Sequence, residues 1–554
     1  MSSARTHNGV STSLDSIAIQ PRTPRTPRPH REWPNGDSPA ASSMDEVELS
    51  LLNEDERARA AREDGFGDLG DEKPKAGTIS MEDKKAMALL SILYLIQGVP
   101  IGLALGSVPF LLREHLSYSQ LAVFALSSYP YSLKLLWSPI VDSIFLPSVG
   151  RRKSWIIPMQ LIIGSLMLWI SYNVPTLMDN PGEHVNTLTF VFTSLVMIAA
   201  TQDIAVDGWA LTLLSEENLS YASTCQTIGL NTGYFASFTV FLALNSEAFS
   251  QKWGIPQLQL GTYLRFWSVV CFCVTVWLTF FQTERKEPST DEDMSIGSVY
   301  KTIWNICKLK HVQTVLLVHL SAKIGFAANE AVTSLKFVEK GLGKEDLAVA
   351  VLIDFPFQIA GGWLAARWSR GDKPLRPWLW AFWPRLGFAI LSTLIVYWFP
   401  TPPISNGFFI FLILHTVLQS FSSTIQFVGM SSFHTRISDP VIGGTYMTLL
   451  NTFTNLGGTW PKFFVLKGVD FFTIAKCEVE EKGSSLTVSA AECVSEQGKA
   501  HCADIGGECV TERDGYYIVS TLCITTGVIF FFAFIIPQAR KLQALPISKW
   551  RIFG

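Results

Sequence analysis

Apolar and polar positions are segregated along this chain. Read from the start, the apolar residues gather into blocks of roughly 20, the length a helix needs to cross a ~30 Å hydrocarbon core. Twelve spans are predicted on this pattern. Six, at 86–112, 119–145, 155–174, 188–214, 224–244 and 266–281, precede a polar break at 282–311. Six follow, at 312–337, 347–368, 378–399, 408–430, 442–469 and 516–536. Gly98, Pro100 and Gly102 interrupt the first span, an interruption that a membrane bundle tolerates better than a soluble helix does. The first 80 residues have a different character. They are rich in Pro, Arg and Ser around Thr23-Pro24-Arg25-Thr26-Pro27-Arg28-Pro29 and then charged from Asp45 to Lys75. With few large apolar side chains such a segment cannot offset its ordering entropy, so a disordered tail is expected. Thr23 and Thr26 are candidate phosphorylation sites, although any disordered tail collects Thr-Pro pairs.

Composition agrees with a membrane protein. The chain has 554 residues, 48% hydrophobic and only 16% charged, against about 25% charged in soluble domains. This excludes a soluble enzyme and makes the lipid bilayer the first partner. The balance of 44 Lys+Arg against 47 Asp+Glu gives no reason to expect nucleic acid. Position is more informative than sum. Arg151, Arg152 and Lys153, then Arg285 and Lys286, then Arg367, Arg370, Lys373 and Arg376, and finally Arg540, Lys541, Lys549 and Arg551 all fall on one side of the twelve spans. The positive-inside rule places that side, and both termini, in the cytosol. The expected division is a cytosolic tail (1–80), an N-terminal six-helix half (86–281), a cytosolic linker (282–311), a C-terminal six-helix half (312–537) and a cytosolic tail (538–554). The sequon at Asn218 then faces the cytosol and carries no glycan.

Four of the nine cysteines, Cys477, Cys493, Cys502 and Cys509, fall in the polar loop 473–515, on the opposite side. Two disulfides are expected there, with three connectivities open, and hence an oxidising compartment. A zinc site would need paired close spacings, and His501 is its only candidate histidine, so neither metal nor cofactor is expected.

A repeat at an offset near 225 residues lays Tyr221–Phe235 over Tyr446–Trp460, with Gln226 against Asn451 and Gly233 against Gly458. Two parallel six-helix halves are the plan of the major facilitator fold, an all-α membrane architecture of about twelve spans. The loop after the second span is similar to that superfamily's signature, with Asp142 at a helix end followed by Gly150-Arg151-Arg152-Lys153, although Ser138 replaces a glycine and the gap is longer. These residues are expected to gate, the carboxylate holding Arg to latch an outward-facing state.

Ionisable side chains inside spans are costly and so mark candidate functional residues. They are Lys134, the pair Asp203 and Asp207 on one helix face, His319, Lys323, Glu330, Asp354, Arg385 and His415. Two readings stay open. Cations and carboxylates pair between helices, or Lys134, Lys323 and Arg385 stay unpaired and line a path for an anionic solute, with Tyr129, Tyr131, Trp137 and Trp209 available to stack on a ring.

The stretches Ser132–Trp137, Gly150–Trp155, Ala200–Thr212 and Tyr221–Cys225, continued by Ala322–Phe326, Ser438–Pro440, Ile442–Thr452 and Asp514–Tyr517, resemble the eukaryotic acetyl-coenzyme A transporters of the endoplasmic reticulum, relatives of bacterial muropeptide permeases. The resemblance covers nearly everything from the first span to the twelfth. It implies import of cytosolic acetyl-CoA into the lumen, in exchange for CoA, to supply lumenal acetylation. It supplies no list of substrate contacts. Cations suit the phosphates of CoA, and amides such as Asn451 suit the pantetheine arm. A membrane-embedded acetyltransferase using His319 or His415 as base, and a carrier of another anionic or muropeptide-like solute, remain as alternatives, and a homo-oligomer is left open.

Overall fold

The computed structural model describes residues 80–550 apart from 216–217, 219–220, 285–295, 370–372, 439–442, 482–483, 487–492 and 495. The expected tail with Thr23 and Thr26, the basic residues Arg285, Lys286, Arg370 and Arg551, the sequon's Ser220, and Asp439, Pro440 and Ile442 lie outside the described residues.

Nine helices among the described residues are long and apolar enough to cross a membrane, and a tenth arises if one bent pair counts as a single span. They give spans 1 (Met81–Arg113), 3 (Lys153–Asp179), 4 (Pro181–Leu213), 5 (Thr224–Asn245), 6 (Leu260–Phe281), 8 (Lys344–Trp368), 9 (Leu375–Tyr397), 10 (Asn406–Ile437) and 12 (Gly515–Gln543). Span 7 is the pair Lys310–Phe326 and Asn329–Glu339, bent by 48°. The other two predicted spans are also helical. Span 11 is one helix, Gly443–Phe472. Span 2 is a series of short pieces, Tyr118–Ala125, Tyr129–Leu133 and Ser138–Ser143, joined by 3₁₀ turns. Pro130 and Pro139 open the second and third pieces. Lacking an N–H, each removes a rung of the hydrogen-bond ladder, which breaks the helix where an unbroken span was expected.

Local signals set the ends. Ser80 caps span 1 by accepting from the Asp83 amide. Ser117 and Gln120 form a capping box that starts span 2. Asp514 caps span 12 through the Tyr516 amide. Each such cap contributes about 1 kcal/mol.

The repeat is present in space. Span 1 packs on span 5 at Gly98 and Gly233, so closely that a Cβ on Gly98 would lie 2.3 Å from the Leu230 carbonyl oxygen. In the second half span 7 meets span 11 at Lys323 and Gly458, where a Cβ on Gly458 would lie 3.2 Å from the Lys323 side chain. Each contact partner has moved by the same 225 positions, from 98 to 323 and from 233 to 458. A π-helical turn interrupts span 1 at Leu103–Ser107 and span 7 at Asn329–Thr333.

Two elements were not anticipated. The linker contains an amphipathic helix, Ile296–Lys308, which buries Ile306 against the second half and leaves Trp304 exposed. The loop after span 11 is a small disulfide domain, an antiparallel sheet in the order β2-β1-β3 (β1 Ile474–Glu481, β2 Ser484–Leu486, β3 Glu508–Arg513) with a short helix at Glu496–Asp504. The chain is therefore all-α within the bundle only.

Candidate functional site

Each half holds a polar cluster at a helix break. In the N-terminal half, Lys134 follows the piece Tyr129–Leu133, where a cation also satisfies the partial negative charge of a helix C-terminus. Its Nζ lies 2.5 Å from Asp203 Oδ2 and 3.6 Å from Asp207 Oδ2 of span 4. Asp207 Oδ1 accepts from the Tyr94 hydroxyl and from Gln226 Nε2, both at 2.8 Å. The expected shared face of Asp203 and Asp207 is thus directed at Lys134, which is paired. Tyr131 places its ring 5.4 Å from the ammonium. Trp137 Nε1 donates to Thr201 at 3.1 Å. Trp209 is only 1% exposed and packs in the apolar core of this half with Tyr94 and Ile156, so it offers no face for stacking on a ligand.

In the C-terminal half, Lys323 occupies the break of span 7, between Lys310–Ala322 and the turn Ile324–Phe326. Arg385 of span 9 is paired with Glu330 and donates to the Gln426 amide oxygen, and its guanidinium lies over the Phe326 ring at 4.2 Å. These groups, with His319, Trp378 and Phe427, line a cavity of about 250 Å³. Lys323 alone of the three interior cations has no ion pair or hydrogen bond among the described residues. Ser423 and Phe427 also line a larger cavity of about 540 Å³, which reaches Thr227 and Asn231 of span 5 and Gln358 and Trp363 of span 8 and so lies between the halves. The two cavities adjoin.

The remaining interior candidates are engaged. His319 Nε2 is 2.9 Å from His434 Nε2, and His434 Nδ1 is 3.3 Å from Asn451 Oδ1, so Asn451 belongs to a histidine chain next to the Lys323 cavity. His415 Nε2 is 3.1 Å from Ser392 Oγ. Asp354 accepts from Ser420 and Gln358 at 2.6 and 2.7 Å.

The gating residues form a compact group within the first half. Arg152 meets Asp142 at 2.5 Å, Arg151 donates to the Asp142 carbonyl oxygen, and Glu284 accepts from the amides of Arg152 and Lys153. The ion pairs that bridge the two halves, with several hydrogen bonds beside them, lie at the opposite end, beside the disulfide domain. Arg113 and Tyr118 both bond Glu339, at 3.1 and 2.8 Å. Glu114 pairs with Lys344, the Ser119 amide donates to Asp470 at 2.5 Å, and Ser246 bonds Glu345 at 2.6 Å. Among the described residues no ion pair joins the halves at the Arg151 end. The bundle is closed at its disulfide end, and the Asp142–Arg152 pair is formed in that state. Tyr94, Gln226, Gln426, His434 and Glu339 were missed by sequence reasoning. Only Gln226 carried a signal, as the repeat partner of Asn451.

The four loop cysteines pair as Cys477–Cys502 and Cys493–Cys509, although Cys477 and Cys509 face each other across β1 and β3.

The family model described as acetyl-coenzyme A transporter 1 matches residues 86–291, 285–376 and 371–552. An uncharacterized membrane protein of Saccharomyces cerevisiae is 39% identical over 562 residues, covering 86% of this chain and 99% of its own. An uncharacterized protein of Schizosaccharomyces pombe is 42% identical over 484 residues, covering 86% and 90%. Among solved structures, a bacterial homolog of the human lysosomal transporter Spinster, inward-facing and unoccupied, superposes with a TM-score of 0.55 at 11% identity, covering 84% of this chain and 98% of its own, a likeness of fold. The chain is a multi-pass membrane transporter of the major facilitator fold and belongs to the acetyl-coenzyme A transporter family.

Proposed function

We propose that the protein carries acetyl-CoA from the cytosol into the lumen of the endoplasmic reticulum by alternating access, in exchange for CoA, with both termini and the Arg151 end cytosolic. The observation that carries this reading is Lys323, a cation whose ammonium has no hydrogen bond or ion pair among the described residues, at a helix break and lining a cavity that continues between the halves. Burying an uncompensated ammonium is costly, and a phosphate-bearing solute repays that cost on binding. Thr227, Asn231 and Gln358 suit the amides of a pantetheine arm, and Trp363 and Phe427 suit a purine. His319 and His415 already engage other side chains, which favours a carrier over an acetyltransferase. Two disulfides at the closed end support an oxidising compartment on that side. Thermal unfolding of the purified protein tests the site directly. Acetyl-CoA and CoA should each raise the midpoint, and Lys323→Gln should lose that rise. An equal rise in the variant would remove Lys323 from the site.

A further inference from the structure

The cluster in the N-terminal half counts two carboxylates against one ammonium. Lys134 stands between Asp203 and Asp207 at 2.5 and 3.6 Å. Asp203 is fully buried, and its Oδ1 has no hydrogen-bond partner. The other titratable groups facing the pair are neutral phenols, Tyr94 of span 1 and Tyr131 of span 2. Among the described residues a further cation, Arg152, packs its guanidinium against Gly208 and is committed to Asp142. The site thus carries one negative charge in excess, with Asp203 fully buried and the Asp207 side chain 38% exposed, and an unbalanced carboxylate inside a membrane bundle is disfavoured. A metal ion would balance it poorly, because it would sit beside the ammonium already held between both carboxylates. A proton needs no such room, and it gives the cluster an O–H donor.

We propose that Asp203 and Asp207 together hold one proton, which leaves and rebinds as the halves rock, so that substrate movement is coupled to a proton. The coupling, though not the proton site itself, rests on the carrier reading above. The link to the moving halves is short. Ser132, two residues before Lys134, bonds Thr459 of span 11 across the interface at 2.9 Å. Lys134 and Ser132 share a stretch broken into short helical pieces. Separation of the halves at Ser132 shifts Lys134 relative to span 4, and the affinity of the two carboxylates for a proton changes with the distance of that ammonium.

Two measurements on the intact protein test this. Infrared difference spectra of the wild type, between neutral and strongly alkaline pH, should contain the C=O stretch of a protonated carboxylic acid, sensitive to deuteration. That band should be lost in Asp207→Asn, where one carboxylate is left to match one ammonium. In proteoliposomes with a trapped pH dye and no imposed gradient, added acetyl-CoA should move protons in wild type, with loss of the dye signal in Asp207→Asn. A wild type without the infrared band, and with a silent dye while labelled acetyl-CoA still crosses, would overturn the proposal and leave the carrier reading standing; so would uptake driven by a sodium gradient with no dye signal. An infrared band in a protein that moves no labelled substrate would uphold the proton site and overturn the carrier reading. The wild-type spectrum decides the site even where Asp207→Asn fails to fold.

Discussion

Arg113, at the end of span 1, and Glu339, at the end of span 7, meet at 3.1 Å and join the two halves across 226 positions of sequence. Span 1 and span 7 are repeat equivalents, so the contact ties like to like. Glu339 also accepts from Tyr118, and Lys336 bridges it to Asp514 at the start of span 12. Four elements are thereby drawn together at the disulfide end.

Glu339→Gln should loosen this closure. The pair is partly exposed, so the expected shift is roughly 1 kcal/mol, or about fivefold in the population open at the disulfide end. A cysteine introduced at Ser132, which is buried against Thr459 when the end is closed, should react about fivefold faster with a thiol reagent applied from that side. An unchanged rate would show that the closure depends on other contacts.

Lys323 and Arg385 should respond differently to loss of charge. Lys323→Gln removes no protein ion pair, so expression and thermal stability should stay near wild type while substrate binding weakens by about 1.5–3 kcal/mol, the value of a charged hydrogen bond. Arg385→Gln leaves Glu330, a partly exposed carboxylate, without its cation and should lower stability by roughly 1 kcal/mol for every substrate alike. Unfolding curves with and without acetyl-CoA separate the two patterns.

Lys134→Gln leaves the buried Asp203 and the partly exposed Asp207 with no cation and should destabilise the bundle by about 3–5 kcal/mol, chiefly through Asp203. Adding Asp203→Asn to it should recover most of that loss, because the two residues are in contact and their effects are not additive. Additive losses in a double-mutant cycle would mean that the pair is not energetically coupled.

The disulfide domain should be separable from the bundle in stability. Replacing Cys477 and Cys502 by Ser should cost the domain about 3 kcal/mol and expose it to proteolysis, with the helical far-ultraviolet signal retained. Replacing Cys477 and Cys509 instead should be more damaging, since that choice breaks both bridges.

Much of the fold was legible because block length and hydropathy are properties of the chain alone. All twelve predicted spans are helical, and the repeat that aligned Gly233 with Gly458 reappears as equivalent helix contacts. What was not legible depended on rotation and proximity. Sequence put Lys134, Asp203 and Asp207 inside the membrane, but only the helix faces decide that Lys134 stands between the carboxylates while Lys323 has no ion pair among the described residues. Tyr94 and Gln226 carry no charge and are hidden in apolar surroundings until Asp207 is seen beside them. Arg113 and Glu339 lie at span ends, where charges are ordinary, and their pairing needs the tertiary fold. The linker helix had a readable signal, apolar Ile296, Val299, Ile303 and Ile306 at helical spacing, obscured by the charged stretch before it.

The central claim is transport of intact acetyl-CoA through the Lys323 cavity. Purified protein in liposomes preloaded with CoA should accumulate acetyl-CoA labelled on both its acetyl and its adenine groups, with both labels recovered inside in equal amounts as unchanged compound, and Lys323→Gln should reduce that uptake by at least about tenfold, the factor given by 1.4 kcal/mol. Acetylated product without trapped adenine label, or uptake unchanged by the Lys323 substitution, would contradict the account.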